Sequence, residues 1–305
     1  MNKQLICKMY QLSHNSSFSL LNDGENQTYL IVDGEQKKVL RKYRQNRYNL
    51  MQIQAEIDWL IALENKLLVP SIIPNKDSES VMESNQIYYV MFNHIDGTDV
   101  DEDSEENYHK LGRTMLDLHQ ASEKILDGAP FNWLGCNRPY YTEQSMLHIP
   151  LKQLLNASFL SHAEKDEYVK VADKLLGFAK EMENTKKQFI HADLHFGNIL
   201  VSKSGWYILD FDEAGFGHRA IDIGVPRIHM ISSNRIDEMW PSFKDGYSTP
   251  ITENEVRYGT CLRIFYMAGK IPLRTDIEAI GKDPSKFIKR YLNFINQELS
   301  GTTPF

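Results

Sequence analysis

The feature that most constrains the fold of this chain is a pair of motifs in residues 191–212. Residues 191–198 read HADLHFGN, and DFD begins at Asp210, twelve positions after Asn198. Between them, the apolar runs 199–201 and 206–209 flank the polar sequence SKSG, which predicts a β-hairpin. Since Asn198 precedes the first strand and Asp210 follows the second, the two side chains are expected at the same end of the hairpin.

The spacing of polar residues in this segment is typical of phosphoryl-transfer sites. Asp193 and Asn198 stand five positions apart, as in the kinase pattern HRDLxxxN, and DFD differs from the kinase DFG in its last residue. A hydroxyl that attacks a γ-phosphate needs a carboxylate to orient it and accept its proton, and magnesium needs hard oxygen ligands. Asp193 is therefore the candidate catalytic base. The candidate ligands of Mg²⁺ are Asn198 and Asp210, with Asp212 as a candidate ligand of a second ion.

A transition-metal hydrolase is the main alternative for this motif. His191, Asp193 and His195 alternate along an extended chain, as metal ligands often do. The other histidines, among them His218 and His229, are scattered along the sequence and supply no second dense cluster. The pair of motifs therefore favours phosphoryl transfer.

Residues 191–222 resemble the signature region of the aminoglycoside phosphotransferase and choline kinase-like superfamily, from HADLHFGNILV to ILDFDEAGFGHRAID. The likeness is strongest to the branch with bacterial stress-response Ser/Thr kinases and homoserine kinase-like proteins. The resemblance implies an α+β, two-lobed protein-kinase-like fold, with a small β-rich lobe over 1–95 and a larger, mainly helical lobe over 96–305. It also implies that Asp193 is the base, that Asn198 and Asp210 bind magnesium, and that Asp222 steadies the catalytic loop.

The N-terminal region predicts a small sheet with one helix. Residues 28–32 and 38–40 flank an Asp-Gly turn signal, which indicates a hairpin. Apolar residues at helical spacing predict a helix over about 50–64, and the apolar run 87–92 predicts a strand. An Asp-Gly pair after that strand marks the boundary of the lobe.

A kinase needs a cation that holds the nucleotide phosphates and a carboxylate that holds the cation. Arg41, in the run VLR, and Glu56, on the predicted helix, resemble the superfamily's pair. Arginine suits the task because its fork of donors matches a phosphate. Lys38 and Lys42 remain alternatives to Arg41, since strand register cannot be fixed from sequence.

The sequence pattern for the adenine-facing edge and the phosphate loop is less distinctive. Main-chain groups of Asn93 and Ile95 are expected to face the adenine. No GxGxxG precedes Arg41, and the stretch 20–30 contains one glycine, Gly24. Backbone amides near residues 23–26 either cradle phosphate or form an ordinary turn.

The C-terminal region is predominantly helical. Its three apolar stripes are interpreted as core rather than as ligand sites. They comprise Leu111, Met115 and Leu118; Val171, Ala172, Leu175, Phe178, Ala179 and Met182; and Phe287, Ile288, Tyr291, Leu292 and Ile295. His119 is interpreted as a packed or capping residue, and His195 as one that orders the catalytic loop through a hydrogen bond.

Composition limits the class of protein. The chain has 305 residues, of which 42% are hydrophobic, so it can bury a sizeable core. Its three cysteines are far apart, which argues against a disulfide framework or a zinc cluster. With no long apolar run and a net charge of −7, we expect a cytoplasmic protein that binds neither membrane nor nucleic acid.

The acceptor pocket is expected beside Asp193 in the helical lobe. Aromatic faces there would suit a cation or a sugar, and arginines would suit a carboxylate or a phosphate. The candidate lining residues are Phe131, Asn132, Trp133, Arg138, Pro139, Tyr140, Tyr141, Arg263 and Tyr266.

The sequence as a whole predicts a phosphotransferase that uses ATP or GTP with Mg²⁺. Its partners would be the nucleotide and a small polar metabolite or aminoglycoside-like compound with a hydroxyl group. A Ser/Thr protein kinase of the bacterial stress-response type ranks second, because no A-P-E element of an activation loop follows Asp210. A catalytically silent nucleotide-binding scaffold is the third hypothesis, since the glycine pattern is missing.

Overall fold

The computed structural model describes residues 1–24, 26–128, 137–185, 187–274 and 278–303. The chain forms two compact units, each assembled from segments that are distant in sequence. The first unit comprises Met1–Val100, Lys124–Arg138 and Gly197–Asp212, and the second comprises Asp101–Glu123, Pro139–Phe196 and Glu213–Phe305. The division into lobes at residue 95 stays a prediction.

A six-stranded antiparallel sheet forms the centre of the first unit. Its strands are β1 (Ser17–Asp23), β2 (Gln27–Asp33), β3 (Gln36–Lys42), β4 (Ile72–Ile73), β5 (Met82–Ser84) and β6 (Ile87–Asn93). The order is β1-β2-β3-β6-β4, and β5 pairs with β6. The predicted hairpin is confirmed, because β2 pairs with β3 and Gly34 takes the left-handed φ of 61° that its turn requires.

Two helices accompany this sheet. Helix α1 (Lys3–Met9), which the sequence patterns do not predict, is too short to be stable alone and buries Ile6 among the apolar residues of the sheet. Helix α2 (Leu50–Leu63) is confirmed within one residue of its predicted end. It begins at a capping box between Asn49 and Gln52.

The predicted second hairpin is also confirmed and belongs to the first unit. Its strands, β9 (Ile199–Ser202) and β10 (Gly205–Ile208), pair with each other, and β9 also pairs with β7 (Gly97–Thr98). At the end of the hairpin opposite its turn, the Leu209 amide donates to the Asn198 carbonyl at 2.8 Å. Asn198 and Asp210 therefore lie at the same end, as the sequence predicts.

The second unit is mainly helical. Its helices are α3 (Glu105–Gly128), whose residues 124–128 belong to the first unit, α4 (Ile149–Asn156), α5 (His162–Glu183), α6 (Arg219–Ser232), α7 (Ile236–Tyr247), α8 (Glu253–Lys270), α9 (Glu278–Lys282) and α10 (Pro284–Ser300). Its strands β8 (Gln188–Ile190) and β11 (Gly215–Gly217) pair antiparallel. A π-helical turn covers Gln144–His148, and 3₁₀ turns cover Phe196–Asn198 and Ile271–Leu273. Within the described residues, no helix is both long and apolar enough to cross a membrane.

Most residues of the three predicted apolar stripes lie in the core, but part of the third stripe does not. Residues of the first two stripes, such as Met115 and Leu175, are fully buried. On α10, Ile288 and Ile295 are fully buried too. Phe287 and Tyr291 instead line a cavity, so the interpretation of the whole third stripe as core is wrong. Both side chains are half-buried, because they face this cavity.

A buried ion pair fastens the last helix of the second unit. Arg227 on α6 donates through Nε and Nη2 to both carboxylate oxygens of Glu298 on α10, each at 3.0 Å, and both side chains are fully buried. The same guanidinium lies over the Trp240 ring, 4.5 Å from its centroid.

Glu298→Ala is expected to lower the free energy of unfolding by about 3–5 kcal/mol, because it leaves a buried guanidinium without its carboxylate. Urea denaturation of the two proteins measures the difference. The matched control is Glu238→Ala, since Glu238 is exposed and lies 3.5 Å from Arg235, where a surface pair contributes about 0–1 kcal/mol. Equal losses in the two variants would contradict the prediction.

Candidate active site

A cavity of about 290 Å³ lies in the first unit, between the sheet, α2 and the hairpin β9–β10. We call it the sheet cavity. Its lining includes six of the predicted site residues: Arg41, Glu56, Asn93, Ile95, Asn198 and Asp210. Asp212, the seventh one in this unit, is not among the described residues that line it.

Arg41 is a fixed cation in the wall of the sheet cavity. Its Nη1 donates to Glu56 Oε1 at 2.8 Å, and its Nη2 lies 3.6 Å from Asp210 Oδ1. Burial alone lowers the pKa of Arg41, but the charges of Glu56 and Asp210 raise it well above its ordinary value. Lys38 and Lys42 instead donate to glutamine side chains and do not line the cavity. The geometry thus favours Arg41 over the lysines.

The Asp-Phe-Asp segment separates its two carboxylates. Asp210 has a left-handed φ of 57° and a side chain that is 48% exposed, whereas Asp212 is buried. Asp212 accepts from Asn26 at 2.8 Å and lies 3.4 Å from Arg47. Burial and the charge of Glu56 raise the pKa of Asp212 to about 7. The carboxylate of Asp212 therefore contacts other side chains of the protein, whereas Asp210 lines the cavity.

Arg138 contacts the main chain of the Asp-Phe-Asp segment. It is buried, and its Nη2 donates to the carbonyls of Phe211 and Asp212 at 2.7 and 2.8 Å. The sequence predicts Arg138 in the acceptor pocket, but its guanidinium donates to these two carbonyls instead. Arg138 therefore has a structural role.

The sequence predicts that main-chain groups at the end of β6 and just after it face the adenine. Asn93, His94 and Ile95 all line the sheet cavity. The Asn93 amide, however, already donates to the Ser71 carbonyl at 2.9 Å. Main-chain groups of Ile95 are thus the better candidates for hydrogen bonds to a base.

The candidate magnesium ligands Asn198 and Asp210 both line the sheet cavity. Asn198 and Asp210 supply an amide oxygen and a carboxylate, which suits an ion that takes its remaining ligands from phosphates and water. Across the described residues, no three His, Cys, Asp or Glu side chains are arranged to hold a metal ion. The donor set therefore fits magnesium with a nucleotide and gives the transition-metal alternative no support.

In the second unit, Asp222 fixes the loop that carries Asp193. Its Oδ2 accepts from the His191 amide at 3.0 Å and its Oδ1 from the Ala192 amide at 2.7 Å. His119 lies 2.9 Å from Asp222 and 2.9 Å from the Tyr247 hydroxyl, so it links these buried side chains rather than merely packing. Burial raises the pKa of Asp222, but hydrogen bonds from His119 and His191 lower it overall.

This support stabilises an uncommon backbone conformation. Ala192 has a left-handed φ of 63°, which costs a residue with a side chain about 1–3 kcal/mol. Asp222 offsets that cost by binding the Ala192 amide. The side chain of the next residue, Asp193, is 38% exposed.

Asp193 lines a second cavity, of about 180 Å³, which lies within the second unit. We call it the helical cavity. Arg263 Nη2 donates to Asp193 Oδ1 at 3.3 Å and is the one predicted acceptor residue in its described lining. The hydroxyls of Tyr141 and Tyr266 are directed to Glu213 instead. Tyr140 stacks on Phe216, and residues 131–133 lie outside the described residues.

His195 and His229 stack beside this cavity, with ring centroids 4.4 Å apart. His195 Nε2 lies 3.9 Å from Asp193 Oδ2, in line with a role in ordering the loop. Burial and the charge of His195 lower the pKa of His229 to about 4. His229 is therefore neutral near pH 7.

Several residues in and around the two cavities are not predicted from the sequence. Asn26 and Arg47 act through contacts to Asp212, far along the chain, which no local pattern reveals. His229 and Arg290 lie on amphipathic helices, where a polar residue at the edge of an apolar face gives no distinctive signal.

The family model described as "Phosphotransferase enzyme family" matches residues 19–248, more than half of the chain. The chain belongs to this family. A Vibrio parahaemolyticus protein (serotype O3:K6, strain RIMD 2210633) named "Probable ketoamine kinase" is 22% identical over 233 residues, covering 73% of this chain and 74% of that protein.

Solved structures of kinases share the fold of this phosphotransferase. A microcompartment-associated aminopropanol kinase gives a TM-score of 0.83 at 25% identity, covering 98% of this chain and 97% of that chain. An amicoumacin kinase in complex with AMP-PNP and Ca²⁺ gives a TM-score of 0.77 at 17% identity, covering 96% and 94%. The predicted superfamily and its α+β, protein-kinase-like fold are confirmed.

Glu56→Gln is expected to weaken ATP binding roughly 10- to 100-fold, because a hydrogen bond between charged groups, worth about 1.5–3 kcal/mol, no longer fixes Arg41. Calorimetric titration of ATP measures the change. In an Arg41→Met background the same substitution should have little further effect on affinity. Equal effects in both backgrounds would show that Glu56 acts independently of Arg41.

Proposed function

We propose that this phosphotransferase transfers the γ-phosphate of ATP, in the presence of Mg²⁺, to a hydroxyl group of a small polar metabolite or aminoglycoside-like compound. The observation that carries the proposal is the sheet cavity, where Arg41 and the oxygen ligands Asn198 and Asp210 line one space. A cation and hard oxygen ligands are what a nucleotide triphosphate with magnesium requires.

Each residue has a distinct role in the proposal. Arg41 binds phosphate oxygens, and Glu56 holds the Arg41 fork in place. Asn198 and Asp210 would hold Mg²⁺, which when bound neutralises charge on the phosphate oxygens. Asp193 orients the acceptor hydroxyl and takes its proton. Asp212 would hold a second ion in competition with Asn26 and Arg47, which its carboxylate already contacts.

A small-molecule acceptor is preferred over a protein. After Asp212 the chain forms β11 and then enters α6 at Arg219, so no long segment stands where a protein kinase has its activation loop. The similar proteins point the same way, since they are named for aminopropanol, ketoamines and amicoumacin. ATP as the donor agrees with the cytoplasmic location that the sequence predicts.

An assay of ADP formation tests the proposal. The purified protein is incubated with Mg²⁺ and ATP, or GTP, against hydroxyl-bearing metabolites, aminoglycosides and a generic protein substrate. Turnover on small hydroxyl compounds is expected. Phosphorylation of protein Ser or Thr without any small-molecule turnover would favour the protein kinase. Nucleotide binding without any phosphate transfer would favour the silent scaffold.

A further inference from the structure

We propose that the acceptor carries an anionic group, a carboxylate or a phosphate, in addition to its hydroxyl, and that Arg290 with Arg263 binds this group in the helical cavity. This inference rests on the proposed function and specifies its substrate class. Two arginines, Arg263 and Arg290, line the same small cavity as Asp193.

Three helices, α6, α8 and α10, each contribute one face to the wall of the helical cavity. Positions 225, 228, 229 and 232 of α6 recur at helical spacing, as do positions 287, 290, 291 and 294 of α10. Helix α8 contributes Arg263 and Met267. The walls are thus mainly apolar, with a few polar groups that converge on one cavity, as in small-molecule sites.

Arg290 is an exposed arginine that also lines the helical cavity. Its guanidinium donates to the carbonyl and hydroxyl oxygens of Ser232 and lies over the Phe294 ring. Within the described parts of the chain, Arg290 forms no ion pair with a carboxylate. An anion bound beside Arg290 would therefore form an ion pair with hydrogen bonds between two charged groups, which the neutral oxygens of Ser232 do not provide.

The charges around Arg263 balance one another. Arg263 lies 3.3 Å from Asp193 and 3.9 Å from Glu213, and Glu213 in turn accepts from Lys270 at 2.7 and 2.8 Å. Two acids thus face two bases, and Arg290 adds one further positive charge. Arg263 is also buried, and its Nε and Nη1 have no hydrogen-bond partner in the described structure. Such donors favour an incoming acceptor group.

A cationic acceptor fits this cavity poorly. Among the described residues, three aromatic rings line the cavity, Phe287, Tyr291 and Phe294, and Arg290 already lies over the Phe294 ring, 5.2 Å from its centroid. An ammonium group bound there would also lie in the same small space as the two arginines, which repel it. A volume of about 180 Å³ also lies below the roughly 300–1,000 Å³ of sites for drug-sized ligands. Within the proposed range of acceptors, the geometry therefore points to a small hydroxy acid or phosphorylated alcohol, rather than a polycationic aminoglycoside.

Binding measurements on compounds of matched chain length test the inference. The probes are 4-hydroxybutyrate, the neutral 1,4-butanediol and the cationic 4-amino-1-butanol; glycerate and glycerol phosphate then distinguish carboxylate from phosphate. Calorimetry with the full chain, with and without Mg²⁺ and a non-hydrolysable ATP analogue, gives affinities independent of turnover. We expect at least one anion to bind on the order of tenfold or more tightly than the diol, and the amine to bind more weakly than the diol.

Arg290→Gln should lower the affinity for the anion by roughly 10- to 100-fold and leave the affinity for the diol nearly unchanged. Arg290 is preferred to Arg263 for this test, because Arg263 contacts Asp193. The matched control is Arg113→Gln, which removes an exposed arginine that pairs with Asp117 on α3. It should leave all affinities unchanged.

Three outcomes would overturn the inference: tighter binding of the amine than of the anions, an unchanged ratio of anion to diol affinity in Arg290→Gln, or no binding of any anion at 10 mM, roughly the millimolar limit of weak affinities. Assays of ADP formation separate this failure from failure of the proposed function. Turnover on amino alcohols would support the phosphotransferase and reject the anionic acceptor. Arg290-dependent anion binding without any ADP formation would retain the anion site and reject the enzyme.

Discussion

Asp193→Asn is expected to lower turnover by about 100- to 10,000-fold while the affinity for ATP stays nearly unchanged. The substitution keeps the shape of the side chain but removes the carboxylate that takes the proton of the acceptor, and a positioned general base contributes a factor of this size. ATP affinity should persist because Asp193 does not line the sheet cavity. Steady-state ADP formation and calorimetric titration of ATP measure the two quantities.

The control for Asp193→Asn is Asp166→Asn, which makes the same chemical change at an exposed position on α5. Its turnover should match that of the unmodified protein. Thermal unfolding of Asp193→Asn should show a Tm close to normal, because Asp193 is partly exposed. Turnover within a few-fold of normal in Asp193→Asn would mean that another group accepts the proton.

Asp210→Ala is expected to abolish the tightening of ATP binding by magnesium and to reduce turnover on the order of a thousandfold. Asp210 is the one carboxylate of the proposed ligand pair, and metal stabilisation of phosphoryl transfer is worth several kcal/mol. Titrations of ATP with Mg²⁺ and with EDTA give the magnesium effect as a ratio of dissociation constants. In the variant this ratio should approach one.

Asp210 also lies 3.6 Å from Arg41, so its loss changes the surroundings of the phosphate-binding cation as well. Glu56→Gln separates the two effects, because it disturbs Arg41 and leaves both proposed metal ligands in place. That variant should bind ATP more weakly but keep a normal ratio of affinities with Mg²⁺ and with EDTA. A normal ratio in Asp210→Ala would move the metal site to other residues.

Much of the local structure follows from short-range sequence patterns. The two hairpins are specified by apolar runs around Gly-containing turns, and α2 by its apolar spacing and its capping residues. The hairpin β9–β10 also brings Asn198 and Asp210 together, since one antiparallel ladder fixes where both strand ends lie. The family followed from the same segment, and the match over residues 19–248 confirmed it.

Other features required the folded chain. His119 and Asp222 are 103 positions apart, and Arg138 binds carbonyls more than 70 positions away, so no periodicity indicates either contact. Phe287 and Tyr291 have the same helical spacing as core residues, but the packing of α10 leaves them in a cavity wall. Short helix α1 is stable because the sheet buries Ile6.

The sequence by itself thus determined the family, the secondary structure around the two motifs and the chemical type of the candidate site residues. These depend on interactions between residues that are close along the chain. The tertiary structure alone decided which side chains share a cavity, which of Asp210 and Asp212 is accessible, and that Arg290 lines the same cavity as Asp193. Burial and long-range hydrogen bonds set these outcomes, and both arise only when distant segments pack.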